Sequence, residues 1–383
     1  MRVGIVTPRY PPNVEGGGER SAQLLAEQLA VHAAVDAVTV FSFDGETVER
    51  RNGIEIQRLC RASSIVTEWQ NLKAGYHLKD QLSEVDVLHA YNMELHPIVG
   101  LLGLGNVDAT VATLNSYHFL PKSVSNTDPG PLERLYELIG HPTTGRLMLQ
   151  AMSRIDAFVA ISTAVRDIYA AHGVPPDRIR VVPNMLDPEF TVPDRESGAG
   201  KSLLYVGEIS HRKGVGDLVR ALAELPADYS LRIVGDGPAM DEVRELTESL
   251  GLTDRTMLTG HVDYDELTTE YATADVFVHP GVWPEPFGRT VLEAMQAGLP
   301  VVCTDVGGPS DIVQDEALKC PPGEPDALAN AISTAVEMEG VGERNRTFAN
   351  ETYAPAKVTA NIVALYEELL AGTTKQTVMK PKS

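Results

Sequence analysis

The chain has 383 residues, is 43% hydrophobic and carries a formal charge of −21. This length predicts two domains of ordinary size, each able to bury its own core. The acidic balance excludes a nucleic-acid binder, which needs a basic footprint, and no apolar run reaches the ~18 residues of a membrane span.

The excess charge is uneven, with 16 basic against 22 acidic side chains in residues 1–190 and 16 against 31 in residues 191–383. In the first hundred positions Arg50, Arg51, Arg58, Arg61, Lys73 and Lys79 form a candidate basic patch for anionic headgroups. Cys60, Cys303 and Cys320 fit neither a disulfide framework nor a zinc spacing, which predicts a reduced, cytoplasmic protein. The first residues run straight into a strand, so no signal peptide is expected.

In chain order, residues 3–6 predict a strand, 8–18 a loop and 21–29 a helix, with a strand at 37–43 completing a βαβ unit. Further strands are predicted at 85–89, 109–114 and 157–161, and 181–184 ends this half. The Pro-, Gly- and charge-rich stretch 191–201 predicts a linker. The alternation then restarts with strand 202–206, helix 215–224, strand 230–234 and helix 240–250. Strands follow at 255–259, 276–279 and 301–304. The fold class is therefore α/β, with two doubly wound Rossmann-like domains facing across a cleft at strand C-termini. The domains are expected at 1–190 and 191–355. A last helix, 356–370, is expected to pack back on the first domain, with a polar, disordered tail over 371–383.

One stretch concentrates the chemistry: Pro284-Glu285-Pro286-Phe287-Gly288-Arg289-Thr290-Val291-Leu292-Glu293-Ala294-Met295. Glu285 precedes a proline and is pushed to extended geometry. From Gly288 the apolar pattern predicts a short buried helix whose first N–H groups favour an anion. One carboxylate thus stands before the helix start and one about a turn inside it. At ~1.5 Å per residue they lie on the order of 12 Å apart. A glycoside hydrolase pair would sit roughly 5–10 Å apart, so two hydroxyl acceptors fit better than a proton-relay pair. A solvated loop Glu and a helix-surface Glu are the plain alternative.

Other segments join it: Tyr10-Pro11-Pro12 with Gly16-Gly17-Gly18-Glu19, Val182-Pro183-Asn184, Lys213-Gly214, Val234-Gly235-Asp236-Gly237-Pro238, Ala274-Asp275-Val276-Phe277-Val278 and Gly307-Gly308. In this order and spacing the chain resembles the retaining glycosyltransferases of family 4 (glycosyl transferases group 1), of GT-B fold. The resemblance implies a metal-independent, hexosyltransferase-type enzyme of polysaccharide biosynthesis or glycosylation. It would move a sugar, with retention, from a nucleotide-diphosphate sugar to a glycan or lipid-linked acceptor. Its partners are then the nucleotide sugar and the acceptor, with no cofactor and with peripheral contact at the inner face of the membrane. The implied catalytic residues are Glu285, Lys213 and Arg212. Donor-binding positions are Gly17, Gly18, Gly207, Asp236, Val262, Phe287, Gly288, Arg289 and Glu293, with Glu293 on the ribose. Asn115 and His118 are acceptor-side candidates.

Two segments depart from the family pattern. Glu208 stands where the family carries an arginine for the diphosphate, so Arg212, beside Lys213, is read as the substitute guanidinium. Asn115 and Ser116 stand in place of His-Asp; an asparagine bonds a sugar hydroxyl but does not titrate. A sugar-nucleotide 2-epimerase of similar fold and a nucleotide-sugar-binding subunit without turnover remain open. A nicotinamide-linked oxidoreductase lacks its glycine fingerprint. His141, His172 and His211 have no spaced metal partners, and no metal is expected.

Overall fold

Strand β1 (Arg2–Thr7) has five consecutive buried residues, the pattern of a strand covered on both faces. It lies near the middle of a sheet completed by β2 (Ala37–Ser42), β3 (Thr47–Arg51), β4 (Ile54–Arg58), β5 (Val87–Ala90), β6 (Ala109–Leu114), β7 (Ala157–Ala160) and β8 (Ile179–Val181). The order is β3-β4-β2-β1-β5-β6-β7-β8, parallel except for the β3–β4 pair. A second, all-parallel sheet holds β9 (Lys201–Val206), β10 (Tyr229–Val234), β11 (Thr256–Gly260), β12 (Val276–His279), β13 (Val301–Thr304) and β14 (Lys319–Cys320). Its order, β11-β10-β9-β12-β13-β14, reverses between β9 and β12. This computed structural model describes residues 1–13, 16–62, 67–121, 143–193 and 201–378, with Val124 and Leu138 besides. The described residues up to Met185, joined by the helix from Pro355, form one compact unit; Leu186–Ala354 form the other.

The expected alternation is present, with additions. The β3–β4 hairpin turns on Asn52 and Gly53, at φ 52° and 78°. That two-residue loop matches the twist of antiparallel strands. The last helix runs Pro355–Val378, past the expected end at 370. No proline interrupts the extension, and the single Gly372 does not stop a helix already nucleated. The tail expected over 371–383 is therefore helical to Val378, and residues 379–383 lie outside those described. Most of the linker read at 191–201 lies outside them too, as does His141.

In the first unit, Val358, Ile362, Val363 and Tyr366 of the last helix enter a core with Leu24, Leu25, Val38 and Val40. The Tyr366 hydroxyl lies 2.6 Å from His89 Nδ1, and His89 Nε2 lies 2.7 Å from Thr113 Oγ1. The basic patch needs one correction. Arg58 is buried, donating to the carbonyls of Tyr10 and Pro11 and pairing with Asp44 at 2.6 Å and Glu49 at 3.0 Å. A guanidinium on the inner end of β4 is retained because carboxylates and carbonyls meet it there. Arg50 pairs with Glu55 at 2.8 Å, while Lys73 and Lys79 are exposed. Among the described residues no helix is long and apolar enough to cross a membrane.

Burial lowers both His89 and His96 to about 3. For a histidine depressed below its unfolded value of ~6.5, the unfolded chain takes up a proton that the native chain refuses. Stability is thus full above pH ~6.5 and falls as the pH drops toward the folded value. The two sites together should lower it by roughly 2.5 kcal/mol per pH unit below pH ~6. Urea denaturation at pH 7.0, 6.0, 5.5 and 5.0 measures this, and His89→Asn should roughly halve the slope.

Candidate active site

The loops after β9 and β12 meet where the strand order reverses, the usual place for a ligand in an open parallel sheet. After β9 a short 3₁₀ turn, His211–Lys213, leads to Gly214 and the helix Val215–Glu224. Gly214 has φ 68°, and a Cβ there would lie 1.9 Å from the Pro280 carbonyl oxygen. Only glycine lets the two loops approach this closely. The Val282 amide donates to the Arg212 carbonyl at 2.9 Å. Beyond the Pro280–Gly288 loop, the helix Arg289–Gln296 begins. Gly307 (φ 71°) backs this loop, since a Cβ there would meet Glu285 N and O at 2.6 Å, and the Gly308 amide donates to Glu285 O at 2.7 Å.

Glu285, Lys213 and a residue absent from the sequence expectations, His279, come together here. Lys213 Nζ lies 2.7 Å and His279 Nε2 2.8 Å from the same oxygen, Glu285 Oε2. Burial acts to raise the Glu285 pKa, but the charge of Lys213, followed by His279, overrides it and holds the carboxyl well below the usual range. Trp283 roofs the cations, with Arg212 Cζ 4.8 Å and Lys213 Nζ 5.7 Å from its ring centroid. Arg212 is already paired: its Nη2 donates to Glu208 Oε2 at 2.8 Å. Against burial, that contact lowers the Glu208 pKa. The expected substitute cation thus pairs with the carboxylate that stands in the arginine's place.

Glu293 lies deeper. Tyr271 Oη donates to it at 3.0 Å and Tyr264 Oη at 3.4 Å, while Arg289 Nε sits 3.4 Å away. Burial raises its pKa, and the charge of Arg289 offsets this only in part. Arg289 also lies 3.7 Å from Asp187, so its guanidinium serves this buried cluster. Both oxygens of Glu293 already carry protein donors, so a ribose would share the carboxylate with the tyrosines. Asp187, Tyr264 and Tyr271 were not singled out from sequence; they lie far from Glu293 in the chain and carry no motif.

Of the remaining donor positions, Phe287 turns its ring into the core against Tyr353, with centroids 6.1 Å apart. Gly288 caps the helix at φ 90°. Gly207 is followed by Glu208, and Val262 is half-buried. Asp236 is exposed and accepts from the Gly237 amide at 2.7 Å, a turn contact. In the first unit, Gly17 and Gly18 open the helix Gly17–Ala30. A Cβ on Gly18 would meet Asn92 Nδ2 at 3.1 Å and Asn115 Nδ2 at 3.6 Å. Those three residues therefore gather at the β1–β5 reversal. His118 is exposed, with Nε2 3.0 Å from Thr67 Oγ1. Among the described residues no group of three or more His, Cys, Asp or Glu could hold a metal ion.

Comparison with known proteins gives concordant matches. The model described as Glycosyltransferase Family 4 matches residues 15–190, and that of the Glycosyl transferases group 1 matches residues 192–354. An uncharacterized glycosyltransferase of Methanocaldococcus jannaschii is 27% identical over 371 residues, covering 90% of this chain and 91% of its own. Among solved structures, the sucrose-phosphate synthase of Thermosynechococcus elongatus superposes with TM-score 0.77 at 22% identity, covering 97% of this chain and all of its own. Anabaena HepE in complex with UDP and glucose gives 0.74 at 19% identity, covering 96% of this chain and all of its own.

The two ion pairs differ in burial, and their variants should differ accordingly. Lys213 and Glu285 are 16% and 15% exposed. Lys213→Met should cost about 3 kcal/mol, because it strands a buried carboxylate. Arg212 and Glu208 are 37% and 41% exposed, so Glu208→Gln should cost less than ~1 kcal/mol. Urea titrations at pH 7 compare the two directly.

Proposed function

The chain belongs to the group 1 glycosyltransferases of GT-B fold, and on that premise we propose that it transfers a hexose from a nucleoside diphosphate to an acceptor hydroxyl with retention at the anomeric carbon. The observation that carries this reading is Glu285, held ionised beside Lys213 where β9 and β12 end. A carboxylate kept charged is an acceptor for sugar hydroxyls, and an adjacent ammonium suits a diphosphate. In the reaction the bond from the anomeric carbon to the diphosphate oxygen breaks, and the nucleoside diphosphate leaves with the electron pair. The acceptor oxygen bonds to the same face of that carbon, and its proton passes to the departing phosphate oxygen. Such a route asks for no protein base, which accommodates Asn115. Lys213 and Arg212 supply positive charge for the leaving group, so the reading includes no metal requirement. A donor-binding protein without turnover is the second reading; the Glu208–Arg212 pair favours it, because it neutralises one of the two cations.

The UDP held by HepE makes uridine donors the first to test. UDP-glucose, UDP-N-acetylglucosamine and GDP-mannose, followed by thermal shift and by release of the nucleoside diphosphate, should yield one substrate that stabilises the fold and turns over. Turnover should persist in EDTA. Glu285→Gln should lower it roughly 10²-fold, because a charged acceptor for the reacting sugar is lost. Stabilisation without turnover in the presence of glycan or lipid-linked acceptors would decide for the second reading.

The acceptor is a lipid-linked or surface glycan precursor met at the cytoplasmic face of a membrane. Support comes from the helix Thr67–Leu78, where Trp69, Leu72 and Tyr76 share one face at 68%, 64% and 68% exposure. Lys73 and Lys79 border that face, with Lys79 Nζ 4.8 Å from the Tyr76 ring centroid. Trp and Tyr favour the membrane–water interface, and each lysine near an anionic surface contributes about 1 kcal/mol at low salt. The protein should co-float with vesicles containing phosphatidylglycerol at low salt. A Trp69→Ser/Tyr76→Ser variant should stay behind, and co-flotation of that variant unchanged would remove this surface from the reading.

A further inference from the structure

We infer that His279 is a positioning residue: it fixes the carboxylate of Glu285 so that Oε1 faces the donor sugar while Lys213 turns to the diphosphate. The inference rests on the donor-sugar reading of Glu285 given above. Both protein donors take Oε2, and among the described residues none reaches Oε1. A carboxylate anchored through one oxygen presents the other along a set direction, with lone pairs for one or two hydroxyls.

The two donors differ in what they can do once a nucleotide sugar arrives. Lys213 is a mobile ammonium with three N–H groups on a flexible stem, so a phosphate can recruit it. His279 has no such freedom. It is the last residue of β12, buried between Val278 and the rigid Pro280. A Cβ on Gly281 would meet its Cε1 at 3.0 Å and its Nδ1 at 3.4 Å, so backbone closes off that edge of the ring. Nδ1 is buried without a hydrogen-bond partner among the described residues, which leaves Glu285, among those residues, as the polar contact that orients the imidazole. A strand-borne, packed side chain holds a reacting group more tightly than a loop does, and Glu285 itself sits on a loop. His279 therefore supplies to that loop carboxylate the rigidity its own backbone lacks.

The test uses the full chain, the best-turned-over donor among UDP-glucose, UDP-N-acetylglucosamine and GDP-mannose, and UDP or GDP as the inhibitor. His279→Leu should lower kcat roughly 10- to 100-fold, the range expected when a reacting geometry loosens. Inhibition by the nucleoside diphosphate should stay within about twofold, because that ligand carries no sugar. His279→Gln, whose amide nitrogen matches Nε2 in reach, should recover most of the loss. Added to Glu285→Gln, His279→Leu should change kcat by less than about twofold, since its target is already altered. Should His279→Leu fold poorly, His279→Asn replaces it, a polar side chain too short to reach Oε2. An equal loss in the wild-type and Glu285→Gln backgrounds, or inhibition weakened in parallel with turnover, would overturn the positioning role. A wild type that is neither stabilised by nor turns over any of the three donors would overturn the sugar-donor reading itself, and this is seen before any variant is made.

Discussion

An ionised carboxylate in a largely closed pocket is costly unless donors hold it, and much of the second unit's local geometry follows from holding Glu285. Lys213 reaches it only because the β9 loop and the β12 loop touch, and they touch only because Gly214 has no side chain. The Glu285 backbone is fixed in turn by Gly307, whose missing side chain leaves room for its peptide, and by Gly308, whose own missing side chain leaves room for the Pro286–Phe287 peptide and whose amide donates to the Glu285 carbonyl at 2.7 Å. Three glycines scattered over nearly a hundred positions thus share one cause. A methyl group at any of them would shift the loops that hold the carboxylate.

The same loops set an electrostatic competition. Each cation that could meet a diphosphate already has a carboxylate: Lys213 has Glu285, and Arg212 has Glu208. The exposed Glu208–Arg212 pair is worth little in water and opens readily, while stacking on Trp283 keeps the guanidinium nearby when it does. In the inner pair, His279 stays on Glu285 Oε2 when a phosphate draws the Lys213 ammonium, so the carboxylate would keep a donor. Under the proposed function, Glu208 would therefore act on the strength of diphosphate binding more than on the chemistry. It also compensates the charge of an arginine that stacks on the half-buried Trp283 ring.

How far the sequence reached depended on whether a signal was local. The strands Ala109–Leu114, Val276–His279 and Val301–Thr304 and the helix Val215–Glu224 have the bounds expected from apolar runs and helical period. The β3–β4 hairpin escaped because Thr47–Arg51 is exposed throughout and shows no apolar alternation; the Asn52-Gly53 turn with Ile54 and Ile56 beyond was the available signal. Arg58 read as surface charge because its partners Asp44 and Glu49 look equally solvated in sequence. His279 was hidden as the end of an apolar strand, since nothing in Val276-Phe277-Val278-His279 says that the ring faces a carboxylate six residues on. Motifs marked the loops that carry the site, but which carboxylate pairs with which cation is a tertiary fact.

The two units treat the same topological position differently. Where β1 and β5 part, the first unit offers Gly18, Asn92 and Asn115, with the Thr7 hydroxyl 3.0 Å from Asn92 Oδ1. Those groups bond hydroxyls and carry no charge. Where β9 and β12 part, the second unit gathers Glu208, Arg212, Lys213, His279 and Glu285. Neutral amides recognise an acceptor without holding a proton from it, whereas paired charges respond to an anion that grows as a bond breaks. Under the proposed reaction, whose leaving group takes the acceptor proton, the strongest fields are needed at the leaving group, and the second unit's charged cluster is the place proposed for it.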